Sequence, residues 1–136
     1  MMRETGSPVL IVEDDPDVAL ELSDLLRRSR FAVVGPASSV SGALQAIAAH
    51  ELSAALVDMR LGNDAADPVL DALALKGVPA VIVTGHADQV PARFGITTIL
   101  HKPFSPALLI HALRQNIASV TEHGSRQATP AASNFP

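Results

Sequence analysis

The sequence contains no cysteine, tryptophan or tyrosine, and its aromatic residues are four phenylalanines. Without cysteine there can be no disulfide framework, thiolate nucleophile or cysteine-based zinc site, which suits a reducing compartment. The formal net charge is −4 and Lys and Arg form no run, so the electrostatic footprint for nucleic acid is missing. Apolar stretches are strand-sized and residues 1–8 carry no hydrophobic signal region. We therefore expect a cytoplasmic protein that binds neither nucleic acid nor a membrane.

The size and apolar content of the chain fit one ordinary globular domain. Its 136 residues are 48% hydrophobic, mostly Ala, Val, Leu and Ile, as in α/β proteins with buried parallel strands. Beyond residue 119 the composition turns to Ser, Thr, Gln, Pro and Gly, with little to bury. We expect an extension at 1–7, a domain at 8–118 and a disordered tail at 119–136.

Short apolar runs alternate with segments of helical spacing along the chain. The predicted strands are residues 9–12, 31–34, 52–59, 78–83 and 96–100, and the predicted helices are 17–30, 41–50, 67–77 and a last one opened by Ser105 and Pro106. Between the last two strands, residues 85–95 include Pro91 and allow only a loop or a reduced helix. The alternation predicts an α/β fold with a doubly wound parallel sheet, which binds ligands at the carboxyl ends of its strands.

Residues that can do chemistry follow four of these strands. Glu13 and Asp14 come after the first strand, Asp58 ends the third, Thr84 ends the fourth and Lys102 follows the fifth. A single aspartate at a strand end is more often a helix cap or a turn residue. Four strand ends that meet at one edge of a parallel sheet are harder to explain in that way, so we interpret them as one site.

The combination of three carboxylates predicts a bound cation. Carboxylates held close together repel one another, and a purely oxygen donor set suits Mg²⁺. With Mg²⁺ bound, ionised Asp58 can attack a phosphorus atom, while Lys102 and the ion stabilise charge on the transferring oxygens. The hydroxyl of Thr84 can bind a phosphoryl oxygen. The site therefore favours phosphoryl transfer to Asp58.

Four segments together resemble the signature of bacterial response-regulator receiver domains. In chain order they read Val-Leu-Ile-Val-Glu13-Asp14-Asp15, Leu-Val-Asp58-Met-Arg-Leu-Gly, Val-Ile-Val-Thr84-Gly85 and His-Lys102-Pro103-Phe104. The resemblance covers residues 8–118 and is closest to single-domain, chemotaxis-regulator-like receivers. It implies a flavodoxin-like sheet of five strands ordered 2-1-3-4-5 and a cis peptide bond before Pro103.

The resemblance also implies a role for each site residue. Asp58 would accept a phosphoryl group from a sensor histidine kinase or a histidine phosphotransfer protein. Glu13, Asp14, Asp58 and the carbonyl of Arg60 would hold Mg²⁺, and Thr84 and Lys102 would contact the phosphoryl group. The output would be relay of phosphate or contact with a downstream protein, by a monomer or weak dimer.

Some features depart from the common receiver pattern. Thr84-Gly85, the short connection after it and Lys102-Pro103-Phe104 are similar to the FAT GUY subfamily, in which the fourth helix is reduced, although Val83 and His86 differ from it. Ile99 replaces the aromatic residue that receivers commonly carry three positions before the lysine. Transmission would then depend on backbone movement near the fourth or fifth strand.

Other interpretations remain open at this stage. Asp15 and Asp17 could extend the metal cluster, but their position favours a role at the helix N-terminus. Asp15-Pro16-Asp17 imitates the start of haloacid-dehalogenase-type phosphohydrolases, which place further acidic ligands after the lysine, whereas here the only later acid is Glu122. A third possibility is a docking module whose phosphorylation site is idle.

Overall fold

The computed structural model describes residues 6–85 and 96–127. The strands are β1 Ser7–Val12, β2 Phe31–Ala37, β3 Ala54–Asp58, β4 Arg60–Leu61, β5 Asp64–Ala65, β6 Ala80–Thr84 and β7 Ile96–His101. The helices are α1 Pro16–Arg28, α2 Val40–Ala49, α3 Asp67–Leu75 and α4 Pro106–Gln127. Over these two ranges, every helix is too short or too polar to span a bilayer.

Five parallel strands form the main sheet, in the order β2-β1-β3-β6-β7. This is the predicted order 2-1-3-4-5, because β4 and β5 pair only with each other in a separate antiparallel hairpin. The predicted α/β, flavodoxin-like architecture is therefore confirmed. Since all five strands run the same way, their carboxyl ends share one edge, and that edge carries the candidate site.

The core lies on both faces of the sheet, as the alternation of side chains along β1 requires. Val9 and Ile11 pack with α1 and α4, whereas Leu10 and Val12 pack with α2 and α3. All four side chains are almost fully buried. Because helices cover both faces, the strand ends are where polar side chains can gather without disrupting the core.

The start of α3 differs from the prediction. The sequence predicts Asp67 as the N-cap and Pro68 as the first helical residue, but Ala66 is the N-cap and Asp67 already belongs to the helix. The carbonyl of Ala66 accepts the backbone N–H groups of Val69 and Leu70, while its own N–H donates to Met59. Ala66 is fully buried, so the β4–β5 hairpin leads directly into the helix and leaves no exposed position for a side-chain cap.

The end of α4 also differs from the prediction. The helix continues to Gln127, so residues 119–127 are helical, whereas the sequence predicts that they belong to a disordered tail. Polar residues such as Ser, Thr and Gln contribute little to a core, but they can extend a helix that is already nucleated. Residues 128–136 lie outside the described part of the chain, as do residues 86–95, where the reduced helix is expected.

Three local predictions are confirmed. Ser105 caps α4 by accepting the N–H of Leu108 with its hydroxyl. Gly77 ends the α3 region with a φ of +70°, a conformation that glycine adopts without penalty. The peptide bond between Lys102 and Pro103 is cis, and so is the bond between Gly35 and Pro36, which the sequence does not signal.

Candidate metal and phosphoryl site

Three carboxylates meet where β1 and β3 end. Each of Glu13, Asp14 and Asp58 offers an oxygen, and these oxygens lie within 4.8 Å of one another. Glu13 and Asp14 directly follow β1, which pairs with β3, and Asp58 is the last residue of β3. Neighbouring parallel strands therefore bring these residues together, as the sequence predicts. The purely oxygen donor set and its spacing fit a hard divalent cation such as Mg²⁺.

Each carboxylate oxygen of Asp58 makes a polar contact with a residue outside the three-carboxylate cluster. Its Oδ1 accepts the backbone N–H of Arg60 at 3.1 Å. Its Oδ2 lies 3.3 Å from the Nζ of Lys102. The Asp58 side chain is 11% exposed and that of Lys102 is 41% exposed, so the pair sits at the mouth of the site and remains accessible from solvent.

Glu13 is the most deeply buried carboxylate of the cluster, with 4% of its surface exposed. Burial raises its pKa from 4.5 to about 7, and the negative charge of Asp58 and a hydrogen bond with it act in the same direction. The N–H of Asp15, at 3.0 Å from Oε2, and the charge of Lys102 oppose this rise in pKa. A cation bound by the cluster would offset the same repulsion, since it favours the ionised carboxylate.

Thr84 and Lys102 are joined through their backbones on the other side of Asp58. Thr84 is buried at the end of β6, and its carbonyl accepts the N–H of Lys102 at 2.9 Å. Asp58 pairs in register with Val83, which places Thr84 one residue further along the neighbouring strand. A backbone hydrogen bond thus links Thr84 and Lys102 directly.

The β4–β5 hairpin supplies a contact that the strand-end pattern does not predict. The backbone N–H of Gly62 donates to Oδ2 of Asp14 at 2.7 Å, across 48 positions of sequence. A Gly-Asn pair is typical of a two-residue hairpin turn, so Gly62 and Asn63 carried a usable signal. The flanking strands have only two residues each, too few for a periodic pattern.

Asp15 acts at the helix rather than in the cluster. Its side chain accepts the N–H groups of Asp17 and Val18 at 2.9 and 3.3 Å, which makes it the N-cap of α1. This agrees with the interpretation favoured from the sequence. His86, two residues beyond Thr84 and a candidate to face the site, lies outside the described residues.

Comparison with known proteins gives the family. The response regulator receiver domain family matches residues 9–114. The chain belongs to this family. It is therefore a receiver domain of two-component response regulators, which is a signalling family and not a recognised enzyme family. The subfamily interpretation from Thr84-Gly85 and the short connection after β6 stays a prediction.

Curated relatives of this receiver domain are longer proteins. It is 28% identical over 126 residues to the transcriptional regulatory protein FixJ of Azorhizobium caulinodans, an alignment that covers 88% of the chain and 59% of the relative. It is 32% identical over 116 residues to the DNA-binding response regulator MtrA of Mycolicibacterium smegmatis. That alignment covers 80% of the chain and 50% of the relative. The chain thus spans about half the length of these relatives.

Solved structures share the fold closely. The receiver domain of a sensor histidine kinase from Pseudomonas aeruginosa, with magnesium coordinated in its active site cleft, aligns with a TM-score of 0.74 at 24% identity over 83% of this chain and 98% of that one. The receiver domain of the PhyR response regulator from Erythrobacter litoralis aligns with a TM-score of 0.69 at 27% identity, over 82% of this chain and 90% of that one. Receiver architecture is therefore present over most of the chain.

Proposed function

We propose that this receiver accepts a phosphoryl group on Asp58 from a sensor histidine kinase or a histidine phosphotransfer protein in the cytoplasm. The observation that carries the proposal is the juxtaposition of three carboxylates within 4.8 Å with a lysine ammonium 3.3 Å from one of them. Glu13, Asp14, Asp58 and the carbonyl of Arg60 would hold Mg²⁺. When bound, Mg²⁺ supplies a positive charge that neutralises the carboxylates and the oxygens of the transferring group.

The transfer requires a nucleophile and no general base. A carboxylate oxygen of Asp58 forms a bond to phosphorus, and the bond from phosphorus to the donor histidine nitrogen breaks. The electron pair of the broken bond stays on the histidine. Lys102 lies beside the attacking carboxylate and can compensate the charge spread over the phosphoryl oxygens. Burial keeps Glu13 out of bulk water, so its charge acts mainly on groups inside the site.

Thr84 and Lys102 are proposed to detect the phosphoryl group. The Thr84 hydroxyl would donate to one phosphoryl oxygen. The Lys102 ammonium would move from the Asp58 carboxylate to a second phosphoryl oxygen. Their backbone hydrogen bond would then carry both displacements into β7, an edge strand of the sheet. Ile99 on β7 is 38% exposed, so a rearrangement there would change a surface that a protein partner can reach.

The proposed output is contact with another protein or relay of the phosphoryl group to another protein. Two of the longer relatives are a transcriptional regulator and a DNA-binding regulator, and the part that aligns is the receiver. The net charge of −4 gives this chain no electrostatic attraction for DNA of its own. A protein surface is therefore the favoured output of the receiver itself.

Labelling by acetyl phosphate or by a phosphorylated histidine kinase tests the proposal. We expect the wild type to be labelled in Mg²⁺ and not in chelator, and Asp58→Asn to stay unlabelled because the amide is not a nucleophile. Asp64→Asn is the matched control, since Asp64 is an exposed carboxylate of the adjacent hairpin. An acid-stable label on Asp58→Asn would contradict the proposal. Sustained turnover of a small phosphoester would instead favour the phosphohydrolase alternative.

A further inference from the structure

Buried core contacts hold the β4–β5 hairpin in place. Leu61 is 4% exposed and Ala66, just after the hairpin, is fully buried, and both belong to the core formed with α2 and α3. The N–H of Ala66 donates to the carbonyl of Met59, which closes the base of the hairpin. Between these anchors the exposed turn Gly62-Asn63 reaches the carboxyl edge of the sheet, where the N–H of Gly62 contacts Asp14. The position of the turn is thus fixed by buried contacts.

The hairpin directs two backbone N–H groups at the cluster. The N–H of Arg60 donates to Asp58, and that of Gly62 donates to Asp14 at 2.7 Å, the shorter of the two bonds. Gly62 has a φ of +64°, in the left-handed region that favours glycine. Glycine with positive φ at the first loop position is typical of one class of two-residue hairpin turn.

We infer that Gly62 is a positioning residue for the metal site: its backbone N–H fixes the orientation of the Asp14 carboxylate, so that Asp14 presents its other oxygen to Mg²⁺. This inference rests on the proposed function, since it concerns the same site. It adds a contact that no side-chain motif of the sequence contains. It also gives the exposed turn Gly62-Asn63 a role that the side chains of these two residues do not suggest.

Among the described residues, the Gly62 N–H is the one hydrogen-bond donor to the Asp14 side chain. Asp14 follows β1 without belonging to it, so the strand ladder does not fix its side chain. The two neighbouring carboxylates, Glu13 and Asp58, would drive a mobile Asp14 carboxylate outward into solvent. A hydrogen bond from a fixed backbone donor opposes that movement and leaves the second oxygen free. Groups that orient a metal ligand in this way typically contribute about 10–100-fold to metal affinity.

Proline substitution at two comparable glycines tests the inference. Gly62→Pro removes the N–H that reaches Asp14. Gly77→Pro is the matched control, because Gly77 also has a positive φ, has open space within 4 Å of where a β-carbon would stand, and donates its N–H to a single acceptor, the carbonyl of Ala74. Gly62→Ala keeps the N–H and adopts the positive φ with strain, whereas proline, whose ring fixes φ at about −65°, cannot adopt it at either glycine. Mg²⁺ affinity is measured by isothermal titration calorimetry, which needs no fluorophore.

We expect Gly62→Pro to weaken Mg²⁺ binding by about 10-fold or more. Gly77→Pro should bind Mg²⁺ as the wild type does, and Gly62→Ala should stay closer to the wild type than Gly62→Pro. In the wild type, the Gly62 amide should be protected from hydrogen exchange without Mg²⁺ and remain protected with it. This last measurement needs no variant, so it tests the inference even if Gly62→Pro does not fold.

Two results would overturn the inference. Equal Mg²⁺ affinity of folded Gly62→Pro and wild type would show that the N–H does not position Asp14. Loss of Gly62 protection on adding Mg²⁺ would show that the hydrogen bond competes with the metal. In either case Mg²⁺-dependent labelling of the wild type on Asp58 would leave the proposed function standing. If the wild type neither bound Mg²⁺ nor became labelled, both the inference and the proposed function would fall.

Discussion

At the scale of single residues, Glu13 bears the main electrostatic cost of the site. Its carboxylate is buried next to Asp58, and its pKa rises from 4.5 to about 7. Between these two pH values the folded protein holds a proton that the unfolded chain releases. The unfolded chain is therefore increasingly favoured as the pH rises through this window, and the stability is fully present only below it.

We predict that the free energy of unfolding of the Mg²⁺-free protein decreases by up to ~3 kcal/mol, from this group alone, as the pH rises from about 4.5 to about 7. Glu13→Gln should lose this contribution, because an amide does not titrate, while Glu21→Gln on the exposed surface of α1 should keep it. Saturating Mg²⁺ should also suppress it, since the ion favours ionised Glu13. Urea unfolding followed by far-ultraviolet circular dichroism measures the effect. A pH dependence that is identical in wild type and Glu13→Gln would contradict this account.

Most residues of the site can be identified from the sequence, because each follows an apolar strand and parallel strands end at one edge. Glu13, Asp14, Asp58, Thr84 and Lys102 all carry this signal. Gly62 does not, since its contact is made by the backbone and depends on the path of the hairpin. The sequence also leaves open whether Asp15 is a ligand or a helix cap, a choice that only side-chain geometry resolves.

At the scale of elements, the start of α1 separates capping from metal binding. Asp15 accepts two backbone N–H groups of the first helical turn, while Asp14 immediately before it belongs to the cluster. The two neighbouring aspartates thus have different physical roles. Pro16, next in the chain, occupies the first helical turn, where the missing N–H of proline has no cost.

We predict that Asp15→Ala lowers the free energy of unfolding by ~1 kcal/mol, because the helix loses its N-cap. Mg²⁺ affinity should stay close to that of the wild type. Asp14→Ala should show the opposite pattern, with Mg²⁺ binding strongly weakened and no cap removed. Calorimetric titration and urea unfolding of both variants check this. If Asp15→Ala reduced Mg²⁺ affinity as much as Asp14→Ala, Asp15 would have to be counted among the ligands.

The elements that the sequence does not reveal share a physical cause. The β4–β5 hairpin has two-residue strands that no periodicity can show, and the N-cap of α3 is a buried alanine with no capping side chain. The last helix runs past residue 119 through polar residues, where helix propagation counts for more than burial. Long apolar segments with clear breaks, such as β1 and β6, were predicted to within two residues at each end.

At the scale of the whole molecule, Lys102 links the site to the β7 edge. Lys102 contacts Asp58 through its side chain and Thr84 through its backbone N–H, and it directly follows β7. Its side chain is 41% exposed, so its ion pair with Asp58 contributes less than ~1 kcal/mol to folding. The contribution of Lys102 should therefore appear in signalling much more than in stability.

We predict that Mg²⁺ and a phosphoryl mimic alter hydrogen exchange in residues 96–104 of the wild type, including the Lys102 amide, with little change in α2. Lys102→Ala should be about as stable as the wild type and should largely lose this response. Lys76→Ala is the control, since Lys76 donates to carbonyls at the end of α2, away from the site. Equal responses of wild type and Lys102→Ala would exclude Lys102 as the sensor. A response confined to α1 and α2 would place the output surface elsewhere.

The central claim is that Asp58 is the residue that receives the phosphoryl group, and locating that group tests it most directly. The wild type is phosphorylated with Mg²⁺ present, treated with borohydride to reduce the acyl phosphate to an alcohol, digested and sequenced by mass spectrometry. The account predicts homoserine at position 58, and no modification when Mg²⁺ is chelated. Homoserine at position 14, 15 or 64 instead, or an unmodified chain under conditions that label other receivers, would contradict it.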